Sequence, residues 1–327
     1  MFKEEFNLSA KVENLDAKTN TYKDKELRKK SKFKKKVRKN ITGYMFILPL
    51  LIGVVVFNFI PFVLNLFYSL TNLGSFGQWD FVGVDNFKRL LDDPLFLKAV
   101  GNTFLYVIVT VPIMVIISIC IANLLNKNIK GKGIYRTLYF LPVVTMASAS
   151  TLVFQWMFNA EYGLVNQVLK LIGLEGQMWF SNPDLARVVI MIFIIWGGLG
   201  YKIMILLGGL QSIPESYYEA ASIDGACPFK QFIHITIPLL TPSIFFIVIW
   251  SLIGSFQLFD VVFMLIPQGS PSYESTITMT RYFYDLGFTL GDKGYASGVA
   301  VILFLIIMTI TLIQFKFQKR WVHYSDE

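Results

Sequence analysis

Few side chains that could do chemistry stand within the apolar bulk of this 327-residue chain. Lys202, His234 and Asp260 are the ionisable residues in or beside the long uncharged stretches, and they fall at separate levels. An active site needs convergent acids, bases or nucleophiles, so a membrane-embedded enzyme has little to work with. Two histidines in the whole sequence make an imidazole metal site improbable, and Cys120 and Cys227 are too far apart for a thiolate one. No G-x-x-x-x-G-K-S/T phosphate loop is present, and Gly131-Lys132-Gly133 is too short to serve as one. What remains are polar groups within or at the ends of apolar spans: Gln155, Ser251, Ser255, Gln257 and Asp260. Such groups are costly in lipid and face the interior, where each either lines a pathway or bridges helices.

The elements that must position these residues are membrane helices. Hydrophobic residues make up 54% of the chain and charged ones 16%. Soluble domains carry about 45–50% and about 25% respectively. A bilayer-spanning helix needs roughly 20 mainly apolar residues, because unpaired backbone groups cannot be left in lipid. Six stretches qualify: 44–70, 99–126, 137–160, 188–214, 231–259 and 294–315. The first follows a 40-residue tail and is longer than a signal-peptide core, so it reads as a retained anchor. Prolines 49, 61, 112 and 142 should kink the spans that hold them. Asp92-Asp93-Pro94 carries the signal of a helix start or turn. Trp79, Trp156, Trp179, Tyr162 and Tyr295 fall near span edges, as a headgroup belt does.

The formal charge of +8 resolves into a tail and a neutral body. Residues 1–40 hold 14 Lys/Arg and 6 Asp/Glu, and the remainder holds 16 of each sign. The excess is therefore no footprint of nucleic acid. Positive charge holds flanking segments in the cytoplasm. The run 23–39, with 11 basic residues, places the N-terminus inside. Alternation then puts Lys127, Lys130, Lys132 and Arg136 inside, together with Lys316, Lys319 and Arg320. Segments 80–98, 161–187 and 274–293, with 7 basic and 10 acidic residues, fall outside. The division is a basic cytoplasmic tail over 1–40, a membrane domain over 41–320 and a short cytoplasmic end over 321–327. The tail either binds anionic lipid or is a disordered topogenic segment.

Between the fourth and fifth spans, segment 212–238 reads as a helix, a break and a second helix. Ser212 suits a cap, and Pro214 with Glu215 suits a first turn. Ala220 and Ala221 allow close approach of another surface. Gly225 can end the helix in the left-handed conformation, and Pro228 can begin the next. Phe229, Phe232 and Ile233 recur at helical spacing, and Pro238 and Pro242 mark re-entry into the membrane. The product is a partly apolar knob at the cytoplasmic surface, or else an amphipathic connection lying on the headgroups.

Glu219-Ala220-Ala221, Asp224-Gly225-Ala226, then Phe232, Ile235 and Pro238-Leu239-Leu240 closely resemble the EAA loop of binding-protein-dependent ABC importer permeases. The resemblance extends over about residues 40–325, including Gln211-Ser-Ile-Pro and Gly294-Tyr-Ala-Ser, and points to the carbohydrate-uptake branch. It implies an all-α membrane protein of the type I ABC importer permease fold, in the bacterial cytoplasmic membrane, with both termini in the cytoplasm. In that family the loop docks as a coupling helix on a separate cytoplasmic ATPase dimer. The resemblance therefore assigns ATPase coupling to Glu219, Ala220, Ala221, Asp224, Gly225 and Ala226, with Glu219 and Asp224 either capping local backbone or pairing with the ATPase. It implies no enzyme activity and no cofactor on this chain, ATP and Mg being used by the partner. It also implies a second, similar but nonidentical permease, an extracytoplasmic solute-binding protein and surrounding lipid as partners.

A sugar pathway needs aromatic faces and a few hydrogen-bonding groups. Trp196, Gly198 and Tyr201 resemble the pathway helix of the larger maltose permease subunit, where Trp, Gly and Tyr at these spacings contact sugar. Trp196 and Tyr201 are about 140° apart on an ideal helix, on adjacent faces. Departures follow: Val143 and Ala147 replace a Tyr and a Ser, and Phe256 and Phe259 stand roughly where Asn residues are found, so the sugar or its pose should differ from maltose. The pathway set is thus Trp196, Gly198, Tyr201, Gln155, Ser255, Gln257 and Asp260. Lys202 could snorkel or pair with a carboxylate, readings that rank ahead of a direct substrate role. Other readings are a permease for a non-sugar solute such as a glycerol-phosphate compound, and a channel or secondary transporter, which charge rings or repeats would favour and this sequence lacks.

Overall fold

The computed structural model describes residues 44–127 and 129–322. The basic tail 1–40 and most of the terminal segment 321–327 lie outside the described residues. In chain order the helices are α1 (Tyr44–Tyr68), α2 (Asp85–Leu91), α3 (Pro94–Asn126), α4 (Lys132–Val144), α5 (Ala147–Met157), α6 (Leu164–Leu171), α7 (Pro183–Gln211), α8 (Ser216–Ile223), α9 (Pro228–Phe256), α10 (Asp260–Leu265), α11 (Tyr273–Thr276), α12 (Met279–Tyr284) and α13 (Lys293–Trp321). The described residues contain no strand, only an isolated bridge between Thr71 and Phe81.

Residues up to Leu64 form one unit and those from Asn65 a second. The described part of the first is a single apolar helical run in α1. It widens over Val55–Phe59, where the Ile60 amide donates back to the Val55 carbonyl. The widening sits just ahead of Pro61, whose ring lacks a donor and crowds the preceding turn. The same device recurs in the second unit. The Ile237 amide donates to the Phe232 carbonyl just before Pro238.

Among the described residues, α1, α3, α7, α9 and α13 are each long and apolar enough to cross a membrane. The expected third span is different. It is a broken pair, α4 and α5, set at 101° to one another. Thr145 and Met146 adopt extended backbone between them, and Pro142 lies in the last turn of α4. The kink expected from Pro142 is thus a sharp bend that divides the 137–160 span into two helices. The bend costs no orphaned hydroxyl, since Thr145 donates to the Pro142 carbonyl at 2.8 Å and shares a bond with Ser150 at 3.0 Å.

The core of the second unit lies where α3, α7 and α9 meet, with Val111, Met114, Leu206, Leu207, Leu240 and Ile247 buried. Helices associating in lipid gain little from the hydrophobic effect and rely on small residues for close contact. Gly200 and Gly209 supply these. A methyl group on Gly200 would lie 2.5 Å from Val143 Cγ2 and 2.7 Å from the Tyr139 carbonyl of α4. On Gly209 it would lie 2.4 Å from Ser243 Oγ of α9.

Asp93 starts α3 as the sequence suggests, accepting from the amides of Leu95 and Phe96, with Pro94 in the first turn. Its carboxylate also accepts from the hydroxyls of Tyr282 and Tyr295. Tyr295 is thereby a core residue, 1% exposed, and not part of a headgroup belt. Trp79, Trp156 and Tyr162 do remain exposed. Nearby, buried Arg281 donates to Asp285 at 2.8 Å and lies over the Phe263 ring.

Candidate functional site

The 212–238 segment forms the expected helix–break–helix with two changes. Ser212 does not begin α8; it closes α7, its hydroxyl donating to the Gly209 carbonyl at 2.8 Å. The α-helix starts at Ser216 after Glu215, which makes no side-chain capping bond. Pro238 follows the wide turn over Phe232–Thr236, and α9 runs on through both Pro238 and Pro242.

The break itself is tightly defined. Gly225 has φ of 76°, its amide donates to the Ser222 carbonyl, and the Ala226 amide donates to the Ala221 carbonyl at 2.9 Å. Those two bonds form a Schellman closure, which needs the left-handed residue glycine tolerates best. Pro228 then occupies the first turn of α9. Side chains tie the two arms together: Gln231 Nε2 donates to Ser222 Oγ at 2.9 Å and to the Ala226 carbonyl at 3.2 Å. Tyr218 and Thr236 share a hydroxyl bond at 3.0 Å. Glu219, Ala220, Asp224 and Gly225 are exposed, while Ala221 and Ala226 are half-buried. Ile223 and Phe229 project from the two arms at 86% and 70% exposure. The result is a rigid hairpin of helices offering both apolar and acidic contacts.

The aromatic set is split between two cavities that meet at Gly197. Trp196 lines one of about 240 Å³ with Thr145, Ala147 and Ser150 from the α4–α5 bend. Phe154 and Phe193 flank its ring. Gly198 and Tyr201 line the other, of about 190 Å³, with Lys202 and Trp250. Tyr201 stacks on Trp250 at 5.8 Å and 27°, and Phe140 meets it edge-on at 5.7 Å. A helix turning 100° per residue explains the division.

The other nominated residues are not brought to this place. Gln155 donates to the Met264 carbonyl at 2.8 Å and so joins α5 to α10. Ser255 is buried in α9, and Phe256 beside it is 1% exposed. Gln257 caps α9 and lines a third cavity, of about 350 Å³, with Thr280, Phe283 and Phe304. Asp260 is exposed in the first turn of α10. Phe259 packs on Phe263 and Tyr284. Lys202 meets no carboxylate among the described residues, and its Nζ donates to the Gly198 carbonyl at 2.9 Å. Trp250 was missed by the sequence reading. Its signal was a tryptophan within an uncharged span, away from the edges where this residue collects.

Residues 94–323 match the family model described as binding-protein-dependent transport system inner membrane component. The chain belongs to that family and is a multi-pass membrane transport permease. It is 34% identical over 290 residues to a probable ABC transporter permease protein, YesP, of Bacillus subtilis, covering 88% of this chain and 94% of the relative. It is 35% identical to the lactose transport system permease protein LacF of Rhizobium radiobacter, covering 84% and 93%. The multiple sugar-binding transport system permease protein MsmF of Streptococcus mutans is 34% identical, with 88% and 98% covered. In fold it is similar to a chain of a bacterial alginate ABC transporter crystallised with an alginate pentasaccharide-bound periplasmic protein. There the TM-score is 0.80 at 21% identity, with 88% and 96% covered.

Proposed function

We propose that this chain is the membrane-spanning permease subunit of an ATP-driven importer for a sugar or oligosaccharide. The observation that carries the reading is the closed hairpin of α8 and the start of α9, held by Gly225 and Gln231 and exposed at Glu219, Ala220, Asp224 and Gly225. A rigid hairpin transmits the displacement of a docked ATPase to the spans on either side of it. Glu219, Ala220, Ala221, Asp224, Gly225 and Ala226 form the docking face, with ATP and Mg bound by the partner and no cofactor by this chain. The 1–40 tail and the 321–327 end lie in the cytoplasm with the hairpin. Membership of the family and the lactose and multiple-sugar relatives support sugar as the cargo. A second, nonidentical permease completes the pathway, and a binding protein delivers the solute outside.

Trp196, Gly198 and Tyr201 line two adjoining cavities and Gln257 a third, whereas Gln155 and Asp260 have structural or surface surroundings instead. The test is affinity purification through a tag on this chain from its own host membrane. A nucleotide-binding ATPase should copurify, and should be lost when Glu219 and Gly225 are replaced together. Recovery of the chain without any ATPase, or with undiminished ATPase after that replacement, would sink the reading.

A further inference from the structure

Lys202 lies in the interior of α7, a segment otherwise free of charge from Val188 to Gln211. An ammonium at membrane depth is costly and survives by pairing, by reaching the headgroups, or by facing a cavity that receives charge. Among the described residues no carboxylate pairs with it. It does not extend along the helix toward an edge, because Nζ folds back one turn onto the Gly198 carbonyl at 2.9 Å. A methyl group on Gly198 would stand 2.6 Å from Met114 Sδ and 3.2 Å from Nζ, so the glycine leaves room for both side chains. Lys202 instead lines the 190 Å³ cavity together with Tyr201 and Trp250.

An ammonium carries three donors and no acceptor, and the Gly198 carbonyl takes one of the three. The two others remain for a solute group in the cavity that Lys202 lines. A neutral sugar, whose hydroxyls both donate and accept, is served as well by an uncharged amide. A ring carrying a carboxylate matches both halves of this site, with its C–H face on the Tyr201–Trp250 pair and its charge on Nζ. We propose that the cavity is a subsite for an acidic sugar, a pyranose bearing a carboxylate, with Lys202 as the residue that selects it. This rests on the reading that Tyr201 faces the solute pathway, and it adds the charge of the solute.

The full-length chain, purified into lipid nanodiscs with the subunits that accompany it, is titrated calorimetrically with digalacturonate and with galactobiose, its neutral counterpart. Digalacturonate should bind about tenfold tighter or more, the effect of one hydrogen bond to a charged group. That preference should vanish in Lys202→Gln, persist in Lys202→Arg, and shrink in the unaltered protein as sodium chloride is raised. Equal binding of the two sugars, or a preference that survives Lys202→Gln, overturns the proposal. So does a salt-insensitive preference, which keeps the test decisive if the glutamine variant fails to fold. If Lys202 pairs instead with a carboxylate of the second permease, the substitution will release that subunit with no change in sugar preference, which also overturns it. Trp250→Phe separates the two levels: weaker binding of both sugars upholds the pathway reading even when the charge preference is absent. Binding of neither sugar, or of both without effect of Trp250→Phe and Tyr201→Ala, overturns the pathway reading and this one with it.

Discussion

Tyr295 donates its hydroxyl to the Asp93 carboxylate at 2.8 Å, although the two residues are 202 positions apart. Tyr282 donates to the same carboxylate, which also caps α3 through the Leu95 and Phe96 amides. One side chain thus fastens α12 and α13 to the start of α3. Burial works to raise the pKa of this group, and the bonds from Tyr282, Tyr295, Phe96 and Leu95 outweigh it, holding the carboxyl below its ordinary 3.8. Burial, with Asp93 beside it, pushes the Tyr282 phenol well above its ordinary range.

Asp93→Ala should therefore destabilise the protein by about 1–3 kcal/mol, from the lost cap and charge-assisted bonds. The pH dependence has a defined sign. A carboxyl whose native pKa is depressed contributes fully above its unfolded value and loses that contribution as pH falls through the native one. Thermal melting in detergent should show the full wild-type advantage at pH 7, shrinking below about pH 4. An advantage still whole at pH 3 would contradict this account of Asp93.

Gly225 sits at φ 76°, yet a methyl group there would meet nothing within 4 Å. The constraint is backbone conformation alone. Asparagine tolerates the left-handed region and valine does not, a difference of about 1–2 kcal/mol. ATPase recovered with Gly225→Asn should thus be near wild type, and with Gly225→Val about tenfold lower. Equal losses in the two variants would mean that bulk, not conformation, matters at this turn.

Gly200→Ala should behave differently, because its obstacle is packing. The new methyl group would press on the Tyr139 carbonyl, which as backbone cannot swing aside. Overpacking of this kind costs about 1–3 kcal/mol and should push α4 from α7, lowering the melting temperature. Val143→Ala removes one of the two clashing groups and should restore part of the loss. An unaltered melting temperature in the single variant would show that α4 is free to shift.

Tyr201→Ala removes the stack on Trp250 and the edge contact with Phe140. Aromatic contacts of this type are worth about 0.5–1.5 kcal/mol each. Solute uptake by whole cells should drop roughly 3–10-fold, with ATPase copurification unchanged, and Tyr201→Phe should retain most of it. Loss of ATPase association in the alanine variant would place Tyr201 in folding and outside the pathway.

The local rules visible along the chain decided a good deal. Apolar runs free of charge located the spans, since lipid admits little else. Asp93-Pro94 marked the start of α3, and Gly225 with Pro228 marked the turn of the hairpin, because these residues act through their own backbone. Where the outcome depended on distant partners, sequence spacing was silent or misleading. Tyr295 looked like a headgroup residue and became core, because Asp93 was waiting 202 positions away. Pro142 announced a kink in the third span but not its 101°, since extended backbone at Thr145 and Met146 leaves no trace in hydropathy. Trp250 joined Tyr201, and Lys202 met the cavity between them, only when α7 and α9 packed. Composition and local stereochemistry set which segments cross and where they turn. The pairing of side chains from separate helices decided what those crossings enclose, because a cavity exists only between surfaces that have met.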